Sequence, residues 1–70
     1  MTVDIINKIN ELMSTFNHKQ KVIAKSTTVN KNFHFFLNTV NNEQVLFFRD
    51  DYTGEIYNFT TFVKKSCNCN

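Results

Sequence analysis

The spacing of apolar residues along the chain changes near residue 18. Before that point the apolar residues follow a helical period: Ile5, Ile9, Leu12 and Phe16 fall on one stripe, and Ile6 and Met13 lie beside it. A stripe of this kind, with polar residues on the opposite side, is typical of an amphipathic helix that packs on a core. We predict a helix that begins at Thr2 or Asp4, either of which can cap the free N–H groups of the first turn, and ends at Asn17.

Beyond residue 20 the sequence becomes rich in β-branched and aromatic residues, many of which alternate with polar ones. Three segments are predicted to be strands, at residues 21–29, 33–40 and 43–49. A turn at residues 30–32 joins the first two strands. Asn41 and Asn42 join the second and third through a two-residue turn, because asparagine tolerates the positive φ angles that such a turn requires.

The segment after residue 50 leaves two interpretations open. Residues 50–54 are predicted to form a turn that Gly54 closes in the left-handed conformation, and residues 55–57 a short fourth strand. Asn58 can then cap a C-terminal helix in which apolar residues recur at helical spacing. Alternatively the strand continues, because apolar residues also alternate over residues 57–63. We favour the helix.

Together these elements predict an α+β fold, with an N-terminal amphipathic helix, a three- or four-stranded antiparallel β-meander and a short C-terminal helix. Seventy residues make one domain, for which we expect residues 1–66, followed by a flexible tail at residues 67–70. A chain of this size buries only about 60% of its unfolded surface, so the core is thin. The eight Phe residues help to fill it.

The turn at Asn41 and Asn42 sets the register of the hairpin. Counting back from it, one face pairs Phe33 with Asp50, Phe35 with Phe48, and Leu37 with Leu46. Directly opposed residues share a face, and this largely apolar face is expected to pack on the helix. The second face carries Phe36 opposite Phe47, His34 opposite Arg49, and Asn38 opposite Val45. If the first strand is joined by a two-residue turn, it adds to this face Ile23, Lys25, Thr27 and Val29.

The second face is expected to remain exposed, because one or two helices in so short a chain cover a single side of the sheet. Exposed apolar patches usually mark an interaction site. We predict a partner-binding site at His34, Phe36, Phe47 and Arg49, with Lys25 at its rim. Aromatic residues and Arg are the types that contribute most to binding energy. The alternative is that the C-terminal segment folds over this face and buries it.

Composition and charge narrow the classes of function. The net charge of +2 is too small to indicate nucleic-acid binding by itself. Polar residues interrupt the first 13 positions, and no run approaches the roughly 20 apolar residues of a membrane span. We therefore expect a cytoplasmic protein without membrane contact. Asn, Lys, Ile, Phe and Tyr supply 33 of the 70 residues, whereas Ala, Gly, Pro and Arg supply three, which indicates an AT-rich genome.

Few residues suggest chemistry. Cys67 and Cys69 could supply half of a zinc site with His18 and His34, but structural zinc sites usually place two to four residues between paired cysteines. A disulfide between them would be strained and disfavoured in the cytosol, so we expect a reduced, unstructured tail.

The acidic residues of the 50–55 turn lack the spacing of a calcium loop. His18 is expected to end the first helix. Because no nucleophile motif or phosphate loop is present, we expect neither enzyme activity nor a cofactor or metal.

The resulting hypothesis is a small non-enzymatic protein-binding module. In its specific form it is an inhibitor encoded by a phage or mobile element that occupies a site on a host enzyme or defence complex. One alternative is binding of single-stranded DNA or RNA, with bases stacked on Phe36 and Phe47. Another is a structural homodimer whose symmetric seam is the second face.

Overall fold

The computed structural model describes residues 2–67, which form three helices and one antiparallel sheet. The chain order is α1 (Val3–Met13), α2 (His18–Thr28), β1 (Phe33–Val40), β2 (Glu43–Asp50), β3 (Ile56–Asn58) and α3 (Phe59–Cys67). The fold is therefore α+β with an antiparallel sheet, as predicted, but two helices rather than one precede the strands. Among the described residues, no helix is long and apolar enough to cross a membrane.

Helix α1 forms where the apolar stripe predicts it and ends earlier than predicted. The Thr2 hydroxyl accepts the Ile5 N–H at 3.4 Å and so caps the first turn. After Met13 the Ser14 and Thr15 hydroxyls donate to carbonyls of the preceding turn. The Thr15 and Phe16 N–H groups donate to carbonyls three residues earlier rather than four, so the α-helical pattern ends and the chain turns before residue 17. The predicted end at Asn17 is wrong because this residue caps the next helix instead.

The predicted strand at residues 21–29 is wrong, because this segment is the helix α2. Asn17 and Gln20 form a capping box in which the Asn17 Oδ1 accepts the Gln20 N–H at 2.8 Å and the Gln20 Oε1 accepts the Asn17 N–H at 2.9 Å. The Ser and Thr hydroxyls near the end of α2 donate to carbonyls three or four residues earlier, which keeps them compatible with a helix. Intrinsic helix preferences differ by less than about 1 kcal/mol per residue, so capping and packing outweigh the β-branched composition.

Because residues 18–28 are helical, His18 and Lys25 lie elsewhere than predicted. His18 is the first residue of α2 and does not end α1. It therefore lies at the N-terminal end of a helix rather than at the C-terminal end. Lys25 lies in the last turn of α2 and is not part of the sheet.

The hairpin forms with the predicted register. Strands β1 and β2 pair from Phe33 opposite Asp50 to Val40 opposite Glu43 without interruption. Asn41 and Asn42 adopt φ angles of 53° and 65°, the left-handed pair that a two-residue turn needs. Strand β3 adds to the other side of β2, so that the sheet order is β1-β2-β3, and Gly54 closes the connecting turn at a φ of 78°.

Helix α3 confirms the helical interpretation of the C-terminal segment. The Asn58 Oδ1 accepts the Thr61 N–H at 3.2 Å and caps the helix. Phe59 and Val63 are completely buried on the face of the sheet that carries Phe35 and Phe48. Cys67 ends α3, so the first residue of the predicted tail is helical, whereas residues 68–70 lie outside the described residues.

The core lies between the helices and one face of the sheet. Its buried apolar residues come from the three helices, the α1–α2 connection and strands β1 and β2: Ile5, Phe16, Ala24, Phe35, Leu46, Phe48, Phe59 and Val63. Aromatic rings make up much of it, with Phe48 at the centre of contacts to the rings of Phe33, Phe35, Tyr57, Phe59 and Phe62. Because the helices pack on this side, no helix of residues 2–67 covers the opposite side of the sheet.

Candidate functional site: the open face of the sheet

We call the side of the sheet opposite the core the open face. The strand register assigns to it His34, Phe36, Asn38, Val40, Glu43, Val45, Phe47, Arg49, Ile56 and Asn58. Within residues 2–67, no helix packs on this side, and α3, which could have covered it, packs on the core side instead. The alternative in which the C-terminal segment buries this face is therefore wrong for the described part of the chain.

Phe36 and Phe47 form the centre of the open face. They are directly opposed across β1 and β2, and their rings stack with centroids 5.8 Å apart and an interplanar angle of 20°. Each side chain is half-buried. Within residues 2–67, neither side chain belongs to the hydrophobic core or to the residues packed against the core. The two rings therefore shield each other and leave apolar surface for a further contact.

Ile56 enlarges the apolar patch on the side of β3. It lies opposite Arg49, and the alternation along β2 puts it on the same side as Phe47. Its side chain is 59% exposed, and Val40 at the other end of the hairpin is also exposed. Ile56 is absent from the site predicted from the sequence, because counting across a turn at residues 50–54 puts Ile56 opposite Phe48 on the core side; the observed turn is one residue different.

Polar side chains surround the aromatic pair. Arg49 lies opposite His34, and its Nε donates to the Asp51 Oδ1 at 3.0 Å. Both members of this ion pair are 48% exposed, so the pair contributes little to stability. It does hold the guanidinium at the end of the open face with N–H groups left for another acceptor.

The structure brings together four of the five residues of the predicted site. His34, Phe36, Phe47 and Arg49 lie together on the open face, in two adjacent cross-strand pairs. Lys25 does not join them, because it lies on α2 and the helices pack against the other side of the sheet. The face consequently carries less positive charge than the sequence predicted.

The described residues from which a zinc site could be built are separated in the fold. His18 begins α2, His34 lies on β1 and Cys67 ends α3, while Cys69 lies outside the described residues. No group of three or more His, Cys, Asp or Glu side chains that could hold a metal ion occurs within residues 2–67.

The acidic side chains of the β2–β3 turn take part in local hydrogen bonds. The Asp50 carboxylate accepts the Tyr52 N–H at 2.8 Å, and Asp51 accepts from Arg49. The Glu55 carboxylate accepts the hydroxyl of Tyr57. These bonds hold the carboxylates within their own segment of the chain and help to shape the turn.

Tyr57 lines an open depression of about 350 Å³ beside α3, together with Phe62 and Lys65. The hydrogen bond to Glu55, with smaller contributions from desolvation and from the charges of Glu55 and Asp50, raises the pKa of Tyr57 above 10.0. Its phenol therefore stays protonated at neutral pH and donates a hydrogen bond, so it is poorly suited to accept a proton.

Comparisons with protein-family models, with curated proteins and with solved structures found no match for this chain.

Proposed function

We propose that this chain is a non-enzymatic, cytoplasmic protein-binding module that docks a partner protein on the open face. The observation that carries the proposal is the stacked pair of Phe36 and Phe47 on a side of the sheet that the helices leave uncovered. Aromatic residues on an exposed surface, adjacent to Ile56 and rimmed by polar groups, have the composition of a binding hot spot.

The two aromatic rings are the expected anchors. Docking would remove the remaining exposed surface of Phe36 and Phe47 from water, and each ring offers a large contact area with few rotatable bonds. Arg49 and His34 lie at one end of the same face and can orient a partner through hydrogen bonds. The Asp51 carboxylate already directs the Arg49 guanidinium, which lowers the conformational cost of that contact.

Two observations support a protein partner over single-stranded nucleic acid. Lys25 lies on α2, so the open face loses a positive charge that a phosphate backbone would require. Arg49, which remains on the face, is already paired with Asp51. A nucleic-acid site of this size usually combines stacking rings with a basic groove, and the described open face has only the first of these.

In its more specific form, the proposal is an inhibitor encoded by a phage or mobile element. Its support is indirect: an AT-rich composition and a single small domain that can occupy a site on a larger protein without catalytic residues of its own. Inhibition of this kind requires a rigid complementary surface and no chemistry.

The test is affinity capture from a nuclease-treated lysate of an AT-rich host with three forms of the chain. These are the wild type, Phe47→Thr, which keeps a strand-forming residue but removes the ring, and Tyr52→Ala. Tyr52 is a matched control because it is aromatic and 89% exposed but lies in the β2–β3 turn. We expect a protein retained by the wild type and Tyr52→Ala and lost with Phe47→Thr. Equal capture by all three forms would show that the open face is not the interface.

A second arm addresses nucleic acid directly. Binding of a labelled poly-dT oligonucleotide is measured by fluorescence anisotropy at about 50 and 200 mM salt, because counterion release makes such binding weaken steeply with salt. We expect no binding at either concentration. Tight, salt-sensitive binding that Phe47→Thr abolishes would favour the single-stranded nucleic-acid alternative instead.

A further inference from the structure

The outer edge of β1 carries backbone groups that have no partner within residues 2–67. The Asp51 N–H donates to the Asn32 carbonyl at 2.8 Å, which fixes the alternation of hydrogen-bonded pairs along the hairpin. Even-numbered residues of β1 therefore bond to β2, whereas Phe35 and Leu37 direct their N–H and C=O groups away from it. Within residues 2–67, no strand lies beyond β1, and no side chain bonds to these groups.

This edge lacks the features by which proteins usually prevent strand addition. β1 is eight residues long, contains no Pro and none of the charged residues Lys, Arg, Asp or Glu, and pairs with β2 without a bulge. Its two ends are partly satisfied, because the Phe33 N–H donates to the Asn30 carbonyl and the Thr39 N–H to the Asn38 Oδ1. The unsatisfied part of the edge is thus centred on Phe36.

We propose that β1 pairs antiparallel with β1 of a second copy of this chain, about a two-fold axis at Phe36, to form one continuous sheet. Opposed residues of antiparallel strands share a face, so core residues of one copy must oppose core residues of the other. The axis must therefore pass through a residue. With the axis at Phe36, the N–H and C=O groups of Phe35 meet those of Leu37 in the second copy, and all of these groups become paired.

Neighbouring positions of the axis are less favourable. An axis at Leu37 opposes Phe35 with Thr39, whose N–H already donates to the Asn38 side chain. An axis at Phe35 opposes Leu37 with Phe33, whose N–H already donates to Asn30. With the axis at Phe36, the unpaired N–H and C=O groups of β1 in one copy face the same set of groups in the other copy. An interface in which both copies use the same surface is isologous.

The same register is favourable for the side chains. On the open face, Phe36 of one copy lies beside Phe36 of the other, so that the two stacked pairs with Phe47 join into one aromatic row. His34 lies opposite Asn38 of the second copy, and no two like charges are brought together. This match of the strand to itself favours a second copy over an extended segment of another protein.

Self-pairing is tested with the full 70-residue chain prepared by chemical synthesis in three forms: unmodified, N-methylated at Leu37, and N-methylated at Ile56. N-methylation of Leu37 removes its outward N–H and keeps its side chain. Ile56 is the matched control, because the Asp50 N–H donates to the Glu55 carbonyl at 2.9 Å, and the alternation then directs the Ile56 N–H outward at the opposite edge. Circular dichroism verifies that each form is folded.

Sedimentation over a concentration series gives the mass of each form. We expect the mass of the unmodified chain and of the Ile56 control to rise from 8.3 kDa towards twice that value with concentration. N-methylation of Leu37 should raise the midpoint concentration by more than about 30-fold, because it removes hydrogen bonds from both halves of the symmetric interface. A chain that stays monomeric throughout, or a dimer unaffected by N-methyl-Leu37, would overturn the proposal.

A measurement on the unmodified chain guards against misfolding of the N-methylated forms. Amide hydrogen exchange at Leu37 should slow as the concentration rises, while exchange at Ile56 should not change. Exchange at Leu37 that slows only when another protein is added would overturn self-pairing and assign the edge to that protein. Phe47→Thr should leave self-association in place even where it abolishes partner capture, so the edge interface and the open-face function fail separately. Loss of self-association in Phe47→Thr would contradict the edge interface and place the seam on the open face.

Discussion

Phe47 and Phe48 are adjacent in sequence and face opposite sides of the sheet, which makes them a matched pair for testing the assignment of the two faces. Phe48 is 0% exposed and its ring contacts several other aromatic rings of the core. Phe47 is half-buried, and its described ring contact is with Phe36 on the open face. Replacing each by Ala changes the same side chain on the same strand, so the difference in stability reports burial.

The expected magnitudes follow from that difference. A fully buried Phe removes about 150–250 Å² from water, which at about 25 cal/mol per Å² corresponds to about 4–6 kcal/mol. Ala retains part of this, so Phe48→Ala should lower the free energy of unfolding by about 3–5 kcal/mol. A domain of 70 residues has a total stability of only about 4–10 kcal/mol, so this variant is close to unfolding. Phe47→Ala should cost about 1 kcal/mol.

Urea denaturation followed by circular dichroism at 25 °C measures both values. The milder Phe48→Leu variant, for which we expect a loss of about 1–2 kcal/mol, keeps the comparison measurable if Phe48→Ala does not fold. Equal slopes of unfolding free energy against urea would show that the variants unfold from comparable states. If Phe47→Ala costs as much as Phe48→Ala or more, the faces are exchanged and the hairpin register is off by one residue.

Three further predictions concern the turn, the second helix and the phenol. Asn42→Val should destabilise the chain by about 1–2 kcal/mol in urea denaturation, because a β-branched residue is strained at the φ of 65° that Asn42 adopts. Asn17→Ala should cost about 1 kcal/mol in the same assay and lower the helical signal, because it removes the cap of α2. Ultraviolet titration of a Tyr52→Phe variant should give a pKa for Tyr57 above 10.0, and Glu55→Gln should lower it. Because the folded pKa is raised, its contribution to stability is present below about pH 10 and is lost as pH rises through the folded value.

Each of these predictions has a control that could contradict it. Asn42→Gly should be tolerated, since Gly adopts positive φ without strain, and an equal loss with Gly and Val would refute the turn argument. Asn10→Ala in the exposed middle of α1 should be nearly neutral, and a loss equal to that of Asn17→Ala would show that the cap is not responsible. An unchanged Tyr57 pKa in Glu55→Gln would mean that this hydrogen bond is not the cause of the shift.

The outcome for the candidate site shows which interactions a sequence can define. The pairs Phe36–Phe47 and His34–Arg49 could be predicted because a two-residue turn determines every pairing along a regular hairpin by counting. Lys25 was misplaced because its position depended on the type of the segment around it. Ile56 was missed because the turn before it is not a two-residue turn: counting across the predicted turn at residues 50–54 puts Ile56 opposite Phe48, whereas the observed register puts it opposite Arg49.

The helix α2 shows why composition was a poor guide at residues 18–28. Its β-branched residues favour a strand by only a few tenths of a kcal/mol each, and that preference is weaker than a capping box combined with burial of Ala24. A helical spacing was present, since Gln20, Ala24 and Thr27 are buried on one side of α2. This weakly amphipathic helix packs against α3, which lies more than 30 residues further along the chain. A contact over that separation cannot be predicted from the spacing of residues within α2.

The sequence by itself determined the features that depend on near neighbours. These are the amphipathic helix α1, the Asn41-Asn42 turn, the hairpin register and the cap that Asn58 provides for α3, all of which depend on side chains within a few residues of one another. The capping box of Asn17 and Gln20 starts α2 locally, but tertiary structure alone decided that α2 packs against α3, that α3 packs on the core side, and that no other part of residues 2–67 covers the open face or the outer edge of β1. These features depend on which apolar surfaces pack against each other. The hydrophobic effect is non-directional, so this arrangement is determined only when the whole chain is folded.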